Sequence, residues 1–188
     1  MVKKIPLIIF LLGMLQNYAS AQFSVFSTFK IEAESATNSY PGTADTWTNI
    51  TEAAAFGNTA VFVGPDDGDN FNNVGNCCGA GVSNAAHLEF NVNLPTSGTW
   101  TVLVRVRDGG GNSYHIGANG AIKATVNGGI GANYTWIATQ ITGLVAGANI
   151  IDIWEREDGL IIDQIVISND FTCNVCLLYT SPSPRDRG

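Results

Sequence analysis

Positively charged residues are scarce in this chain. Of its 188 residues, 9 are lysine or arginine and 16 are aspartate or glutamate, so the formal net charge is −7. Proteins that bind nucleic acid or anionic membrane surfaces need clustered positive charge. The composition therefore argues against both kinds of partner, and it is compatible with neutral sugars, with calcium or with a plain soluble surface.

The sequence motifs of common hydrolases and phosphate-binding enzymes are also missing. The chain has no Gly-x-Ser-x-Gly, no His-Glu-x-x-His and no phosphate-binding loop. It lacks the cysteine and histidine spacing of a zinc site. Hydrolysis of a glycosidic bond needs two carboxyl groups that face each other across a cleft, and the sequence assigns no pair to that arrangement. We therefore predict no catalytic residues.

Long apolar runs are limited to the N-terminus. Residues 1–21 combine a short basic start, an apolar core at 5–15 and small residues at 19–21, a pattern typical of a secretory signal peptide. The apolar core is short for a membrane anchor, which needs about 20 residues. We expect a secreted or cell-surface chain without membrane insertion, in which a linker at 22–28 precedes the folded domain.

The C-terminal residues 176–188 differ in composition from the rest of the chain. Residues 176–186 resemble the translation of a sequencing adapter, although a natural Pro- and Ser-rich linker would have a similar composition. On the first interpretation the natural sequence is cut near Val175. The chain would then be one module of a longer protein whose catalytic or surface domain is missing.

Four cysteines are present, and Cys176 falls in that C-terminal segment. A secreted chain is expected to form a disulfide. Cys173 could pair with Cys77 or with Cys78, and a bridge between the adjacent Cys77 and Cys78 is the less usual alternative. The sequence leaves the pairing open.

Alternating apolar and polar residues predict an all-β fold for residues 29–170. The clearest cases are 86–93 and 100–107, in which every second residue is apolar. Seven further strands are predicted at 29–35, 59–63, 112–118, 121–126, 134–140, 148–154 and 160–168, and many are separated by Gly-rich turns. Residues 36–58 and 64–85 are interpreted as long polar loops. The pattern favours an antiparallel β-sandwich or jelly roll, with Trp100 in its core.

A set of short motifs occurs in order along this domain. They are Ile31-Glu32-Ala33-Glu34, Leu94-Pro95 with Gly98-Thr99-Trp100-Thr101-Val102 and Arg105-Val106, Asn112-Ser113-Tyr114, Leu144 with Ala146-Gly147-Ala148-Asn149, and Arg156-Glu157-Asp158-Gly159 with Ile162-Asp163-Gln164-Ile165. Together they resemble the carbohydrate-binding modules of families 6 and 35. The resemblance implies a galactose-binding-like jelly roll that binds a polysaccharide or oligosaccharide without catalysis.

The resemblance also implies a structural calcium ion held by Glu32, Glu34 and Asp163. Calcium prefers several oxygen ligands, and Asp163 interrupts an apolar strand in which an unpaired carboxylate would be costly to bury. The alternative is that Glu32 and Glu34 lie on an exposed strand face and contact water.

A sugar site is implied as well. Trp136 resembles the family's stacking tryptophan, and burial in the core is an equally favoured role for so large a ring. Tyr114 and the turn of Arg156, Glu157 and Asp158 are its candidate neighbours, although core packing is the favoured role for Tyr114. The charged turn could read sugar hydroxyls or simply be solvated.

One position departs from the family's pattern. Ile161, two residues before Asp163, stands where the family has an asparagine. This difference favours an alternative function, a structural or adhesive β-sandwich that keeps calcium but binds no sugar.

A second group of carboxylates occurs in Asp66-Asp67-Gly68-Asp69-Asn70. These residue types suit a calcium loop, but their spacing differs from that of an EF-hand. We interpret the segment as an exposed acidic loop.

Overall fold

The computed structural model describes residues 26–72, 84–108 and 111–170. Within these ranges it contains eleven β-strands and two short 3-10 helices, at Ala33–Ser35 and Phe56–Asn58. The strands are β1 (Thr28–Glu32), β2 (Asn38–Tyr40), β3 (Thr46–Thr51), β4 (Thr59–Gly64), β5 (His87–Leu94), β6 (Gly98–Arg107), β7 (Ser113–Ala118), β8 (Ala121–Asn127), β9 (Thr135–Leu144), β10 (Gly147–Glu155) and β11 (Ile161–Ser168).

The strands form two sheets. One sheet has the order β3-β4-β11-β6-β9, and β1 also pairs with β11. The second sheet has the order β2-β5-β10-β7-β8. Every strand pairing in the described ranges is antiparallel. The predicted antiparallel β-sandwich is therefore confirmed.

The main core lies between the two sheets, and the period-two segments supply much of it. Leu88 and Phe90 of β5 are 1% exposed, and Trp100 of β6 is fully buried. They belong to one apolar cluster with the inward residues of β7, β10 and β11. Because alternate side chains of a strand point to opposite faces, the polar residues of β5 lie on the outer face of the five-stranded sheet.

Strand β11 is buried along its whole length. Its register with β6 shifts between Ile162 and Gln164. Such an irregularity changes which residues face inward, and it lets both Ile162 and Ile165 join the main core. Asp163 lies at this shift, which is how a carboxylate is accommodated in an otherwise apolar strand.

The interpretation of 36–58 as a loop is wrong. This segment contains β2, β3 and the second 3-10 helix. Strand β3 escapes detection because its burial does not alternate: among its six residues only Trp47 is buried. It forms because it pairs with β4 over its whole length at the edge of the sheet.

Several expectations fall outside the described residues: the signal peptide at 1–21, most of the linker, Cys77, Cys78, Cys173 and the segment 176–188. A search of the described residues for an apolar helix long enough to cross a membrane finds none.

Candidate functional site

Trp136 lies on β9, in register with Arg105 of β6. Val104 and Val106 on either side of Arg105 belong to the main core. Arg105 and Trp136 therefore lie on the outer face of the six-stranded sheet. The Trp136 side chain is half-buried, and its indole N–H is buried without a hydrogen-bond partner. Part of the ring is thus available to a ligand on a strand face.

Tyr114 does not line a cleft. It is fully buried on β7, where it alternates into the main core with Ile116 and Ala118. Its hydroxyl has no hydrogen-bond partner, and burial raises the pKa of that hydroxyl. The proposed contact between Tyr114 and a sugar is therefore corrected to core packing.

The charged turn between β10 and β11 fastens a neighbouring loop. The Arg156 guanidinium donates to Ser113 Oγ at 2.6 Å and to Asn72 Oδ1 at 2.7 Å. Glu157 accepts hydrogen bonds from Ser113 and from the Asn70 amide. Their hydrogen-bonding groups are therefore already engaged within the chain.

Asp158 completes this set. Its carboxylate is 2% exposed and accepts the backbone N–H groups of Asp67 at 2.5 Å and Gly68 at 2.8 Å. Gly159 follows with a φ of +81°, and a Cβ at this position would lie 2.8 Å from the Asp66 side chain. Glycine adopts this positive φ without steric cost, and the missing Cβ lets the loop pack closely.

The three expected calcium ligands have partners of other kinds. Asp163 pairs with Arg105 and accepts the N–H of Phe56 at 3.1 Å. Both oxygens of Glu32 accept the Gln164 amide at 2.8 Å. Glu34 accepts the Thr59 hydroxyl through one oxygen, and its other oxygen is buried without a partner.

Arg105 supplies the positive charge that Asp163 needs. The guanidinium carbon lies 4.5 Å from the centre of the Phe56 ring and 4.2 Å from that of Tyr134. Burial raises the pKa of the Asp163 carboxyl, and Arg105 opposes that rise. The groups of acidic and histidine side chains able to hold a metal in the described residues do not include Glu32, Glu34 or Asp163. Arg105, Gln164 and Thr59 contact the three carboxylates in this structure, and the calcium expected there stays a prediction.

A buried polar network lies on the outer face of the five-stranded sheet. His87 Nε2 donates to Asp152 Oδ1 at 3.0 Å, and the His87 ring stacks on Trp154 at 4.8 Å. Asn38 donates to Glu89, and the N–H of Gly120 donates to the other oxygen of Asp152. His87, Glu89 and Asp152 lie close enough to share a metal, but protein donors already satisfy them.

A pocket of about 490 Å³ opens further along the same face. Four asparagines and three apolar residues line it: Asn91, Asn93, Asn119, Asn149, Val92, Ala148 and Ile150. Asn91 lies beside Ile150, and Asn93 lies beside Ala148, in the pairing of β5 with β10. We call this feature the asparagine pocket.

Two of the pocket asparagines are held by the fold. Asn119 Oδ1 accepts the N–H of Ile150 at 2.8 Å, and its backbone φ is +51°. Asn149 is 3% exposed and donates to the carbonyls of Val145 and Gly147. Asn91 and Asn93 are exposed, so their amides are available to a ligand.

Sequence reasoning missed this pocket although part of its signal was present. Asn91 and Asn93 occupy the polar positions of a clear period-two strand, which predicts a shared outer face. Asn119 lies in the β7–β8 turn and Asn149 lies near the start of β10. They come close to Asn91 and Asn93 only because the fold places these elements beside β5. That meeting depends on sheet order, which a single sequence does not specify.

Comparison with solved structures identifies the fold. The chain superposes with a TM-score of 0.53 on the C-terminal family 6 carbohydrate-binding module of a marine laminarinase from Zobellia galactanivorans, at 16% identity, over 76% of this chain and 100% of that one. A family 35 carbohydrate-binding module from Clostridium thermocellum gives a TM-score of 0.51 at 24% identity, over 74% and 98%. The chain therefore has the fold of family 6 and family 35 modules.

Other solved structures with this likeness are longer. A family 26 β-(1,4)-mannanase with a family 35 module from Podospora anserina gives a TM-score of 0.53 at 20% identity, over 74% of this chain and 27% of that one. A scan against protein-family models and a search of curated proteins each found no match.

Proposed function

We propose that this chain is a secreted, non-catalytic carbohydrate-binding module that holds a polysaccharide or oligosaccharide in the asparagine pocket. The observation that carries the proposal is the pocket itself, in which amide side chains and an apolar strip share one face of a rigid sheet. The fold shared with carbohydrate-binding modules supports it.

The chemistry of the pocket suits a neutral sugar. Each asparagine amide offers two N–H donors and a carbonyl acceptor, which matches hydroxyl groups that both donate and accept. Ala148 and Ile150 provide an apolar surface for the C–H face of a sugar ring. A volume of about 490 Å³ falls within the range of small-molecule sites, and the named lining residues carry no charge.

The pocket is also fixed before any ligand binds. Asn91 and Asn93 stand on β5, whose pairing with β10 runs from Leu94 to His87. A ligand that binds a preformed site does not have to order it, so less binding free energy is lost. The asparagine pocket is therefore a better candidate than the charged turn, whose groups are engaged in holding a loop.

Such a module would act by tethering. Linking a binding domain to a second domain raises the local concentration of that domain on a polymer. The mannanase from Podospora anserina is about four times the length that this chain matches. We infer that a catalytic or surface domain accompanies this module on the same chain. Sequencing of the longer gene tests this inference.

A glycan array of the full chain tests the proposal. Wild type is compared with Asn91→Ala/Asn93→Ala and with Asn127→Ala, a control on the same sheet whose exposed amide lies outside the pocket. We expect wild type and the control to bind one defined set of neutral glycans. The double variant should bind them at least about tenfold more weakly, because it loses two or more hydrogen bonds.

Three results would contradict this function or its location. Equal binding by all three proteins would place the sugar elsewhere. A fourth protein, Trp136→Ala, tests the ring on β9. Loss of glycan binding in Trp136→Ala, with binding kept in Asn91→Ala/Asn93→Ala, would place the sugar on that half-buried ring. No binding by folded wild type would favour the structural or adhesive module, an alternative supported by the internal engagement of Arg156 and Glu157.

A further inference from the structure

Three carboxylates from two loops meet at one end of the sandwich. Asp45 ends the loop between β2 and β3, and Asp67 and Asp69 belong to the loop that follows β4. One oxygen from each of the three lies within 4.8 Å of the other two. We call this group the acidic loop site.

Asp45 is the informative member of the group. It is 1% exposed, and both oxygens of its carboxylate are buried without a hydrogen-bond partner. None of the ion pairs found in the described part of the chain involves Asp45. A buried charge needs a counter-charge or hydrogen bonds to offset the loss of water, so the surroundings of Asp45 are incomplete without a cation.

The neighbours of Asp45 supply no positive charge. Glu155 is fully buried beside it, and burial raises the pKa of Glu155 to about 9, so Glu155 keeps its proton at neutral pH and can share it with Asp45. That proton leaves the negative charge of Asp45 in place, and Asp158 adds further negative potential there. A cation would offset this charge.

The loop that carries Asp67 and Asp69 is positioned independently of any ion. Asp158 holds the backbone N–H groups of Asp67 and Gly68, and Asn70 donates to Glu157 at 2.8 Å. Asp67 is exposed and Asp69 is half-exposed. An ion from solvent can therefore reach a preformed group of oxygens, with Asp45 at its buried side.

We propose that Asp45, Asp67 and Asp69 bind a calcium ion that ties the β2–β3 loop to the loop after β4. The three ligands are carboxylates, and hard oxygen ligands from loops, completed by backbone oxygens or water, are the set that calcium prefers. This site is separate from the calcium expected at Glu32, Glu34 and Asp163, and it does not depend on sugar binding. The acidic segment at 66–70 then contributes two of the calcium ligands, and Asp45 contributes the third.

Calorimetric titration of calcium into the full chain, after treatment with a chelator, tests the site. The decisive variant is Asp67→Asn/Asp69→Asn, which removes two ligand charges at positions open to solvent and should fold normally. The matched control is Glu32→Gln/Glu34→Gln, which removes two carboxylates at the other location. We expect the first variant to weaken calcium binding by about tenfold or more, because ligand charge sets calcium affinity.

Asp45→Asn should weaken binding in the same way, and circular dichroism establishes whether it is folded. Wild type could show two calcium-binding events in the titration. In that case Asp67→Asn/Asp69→Asn should abolish one event, and Glu32→Gln/Glu34→Gln should still show that same event. Equal affinity in wild type and in Asp67→Asn/Asp69→Asn would overturn the proposal. So would binding that is lost only in Glu32→Gln/Glu34→Gln, or folded wild type that binds no calcium.

Discussion

The buried carboxylate of Asp163 is paired with the guanidinium of Arg105, and that guanidinium lies between the rings of Phe56 and Tyr134. Asp163 is fully buried, whereas the Arg105 side chain is 13% exposed. An arginine from β6 therefore provides the positive charge that sequence reasoning assigned to calcium at this strand.

Removing Arg105 should leave Asp163 buried and unpaired. We predict that Arg105→Met lowers the free energy of unfolding by about 3–5 kcal/mol, the usual cost of breaking a buried pair. Urea denaturation in the presence of a chelator measures this loss. The double variant Arg105→Met/Asp163→Asn should recover part of it, since no unpaired charge remains. The single variant Asp163→Asn completes the comparison. If the loss of unfolding free energy in the double variant equals the sum of the losses in the two single variants, Asp163 has another counter-charge.

Tyr114→Phe should leave the domain as stable as wild type or stabilise it by up to about 1 kcal/mol. The substitution removes a buried hydroxyl that has no hydrogen-bond partner, and an unsatisfied buried polar group is unfavourable. Thermal unfolding gives the stability, and the glycan array gives the binding. A loss of sugar binding in folded Tyr114→Phe would restore the role that the sequence suggested for Tyr114.

The sandwich was predictable because its signals are local. The alternation in 86–93 follows from the pleat of the strand, and the packing of Leu88 and Phe90 in the main core confirms it. His87 and Glu89 on the other face are buried as well. Features of this kind require only neighbouring residues.

The sites were harder to predict because they join distant residues. Asp163 looked like a metal ligand because nothing in its own strand neutralises it, and Arg105 lies 58 positions away in sequence. Asp45 lies far along the chain from Asp67 and from Glu155. Which loops meet depends on sheet order and on the register shift at Asp163. The alternation of apolar and polar residues predicts neither.

Asp158→Ala should loosen the loop after β4 without moving the core strands. The variant loses two hydrogen bonds from backbone N–H groups to a buried carboxylate, and bonds to charged groups are worth about 1.5–3 kcal/mol each. We predict faster hydrogen exchange at the amides of Asp67 and Gly68, measured with a chelator present. The amide of Val63, which donates to the Leu160 carbonyl, serves as the control and should keep its protection. Unchanged exchange at Asp67 would contradict the anchoring role of Asp158.

His115 should make the domain less stable in acid. Burial lowers its pKa in the folded chain, and the Phe71 carbonyl that accepts its Nε2–H opposes this only in part. The unfolded chain then takes up a proton near the ordinary pKa of about 6.5 before the folded chain does. Stability is therefore complete above that value and falls as the pH drops from about 7 to 5. His115→Gln should flatten this dependence in urea denaturation across the same range, and equal slopes in the two proteins would contradict it.

The asparagine pocket is tested most directly by backbone amide NMR of the full chain, titrated with the neutral oligosaccharide that gives the strongest array signal. We predict saturable shift changes concentrated at Asn91, Asn93, Asn119 and Ile150, which surround the pocket. Changes centred instead on Trp136, or on the turn at 156–158, would contradict the proposed location. An absence of saturable changes in a folded chain would contradict carbohydrate binding itself.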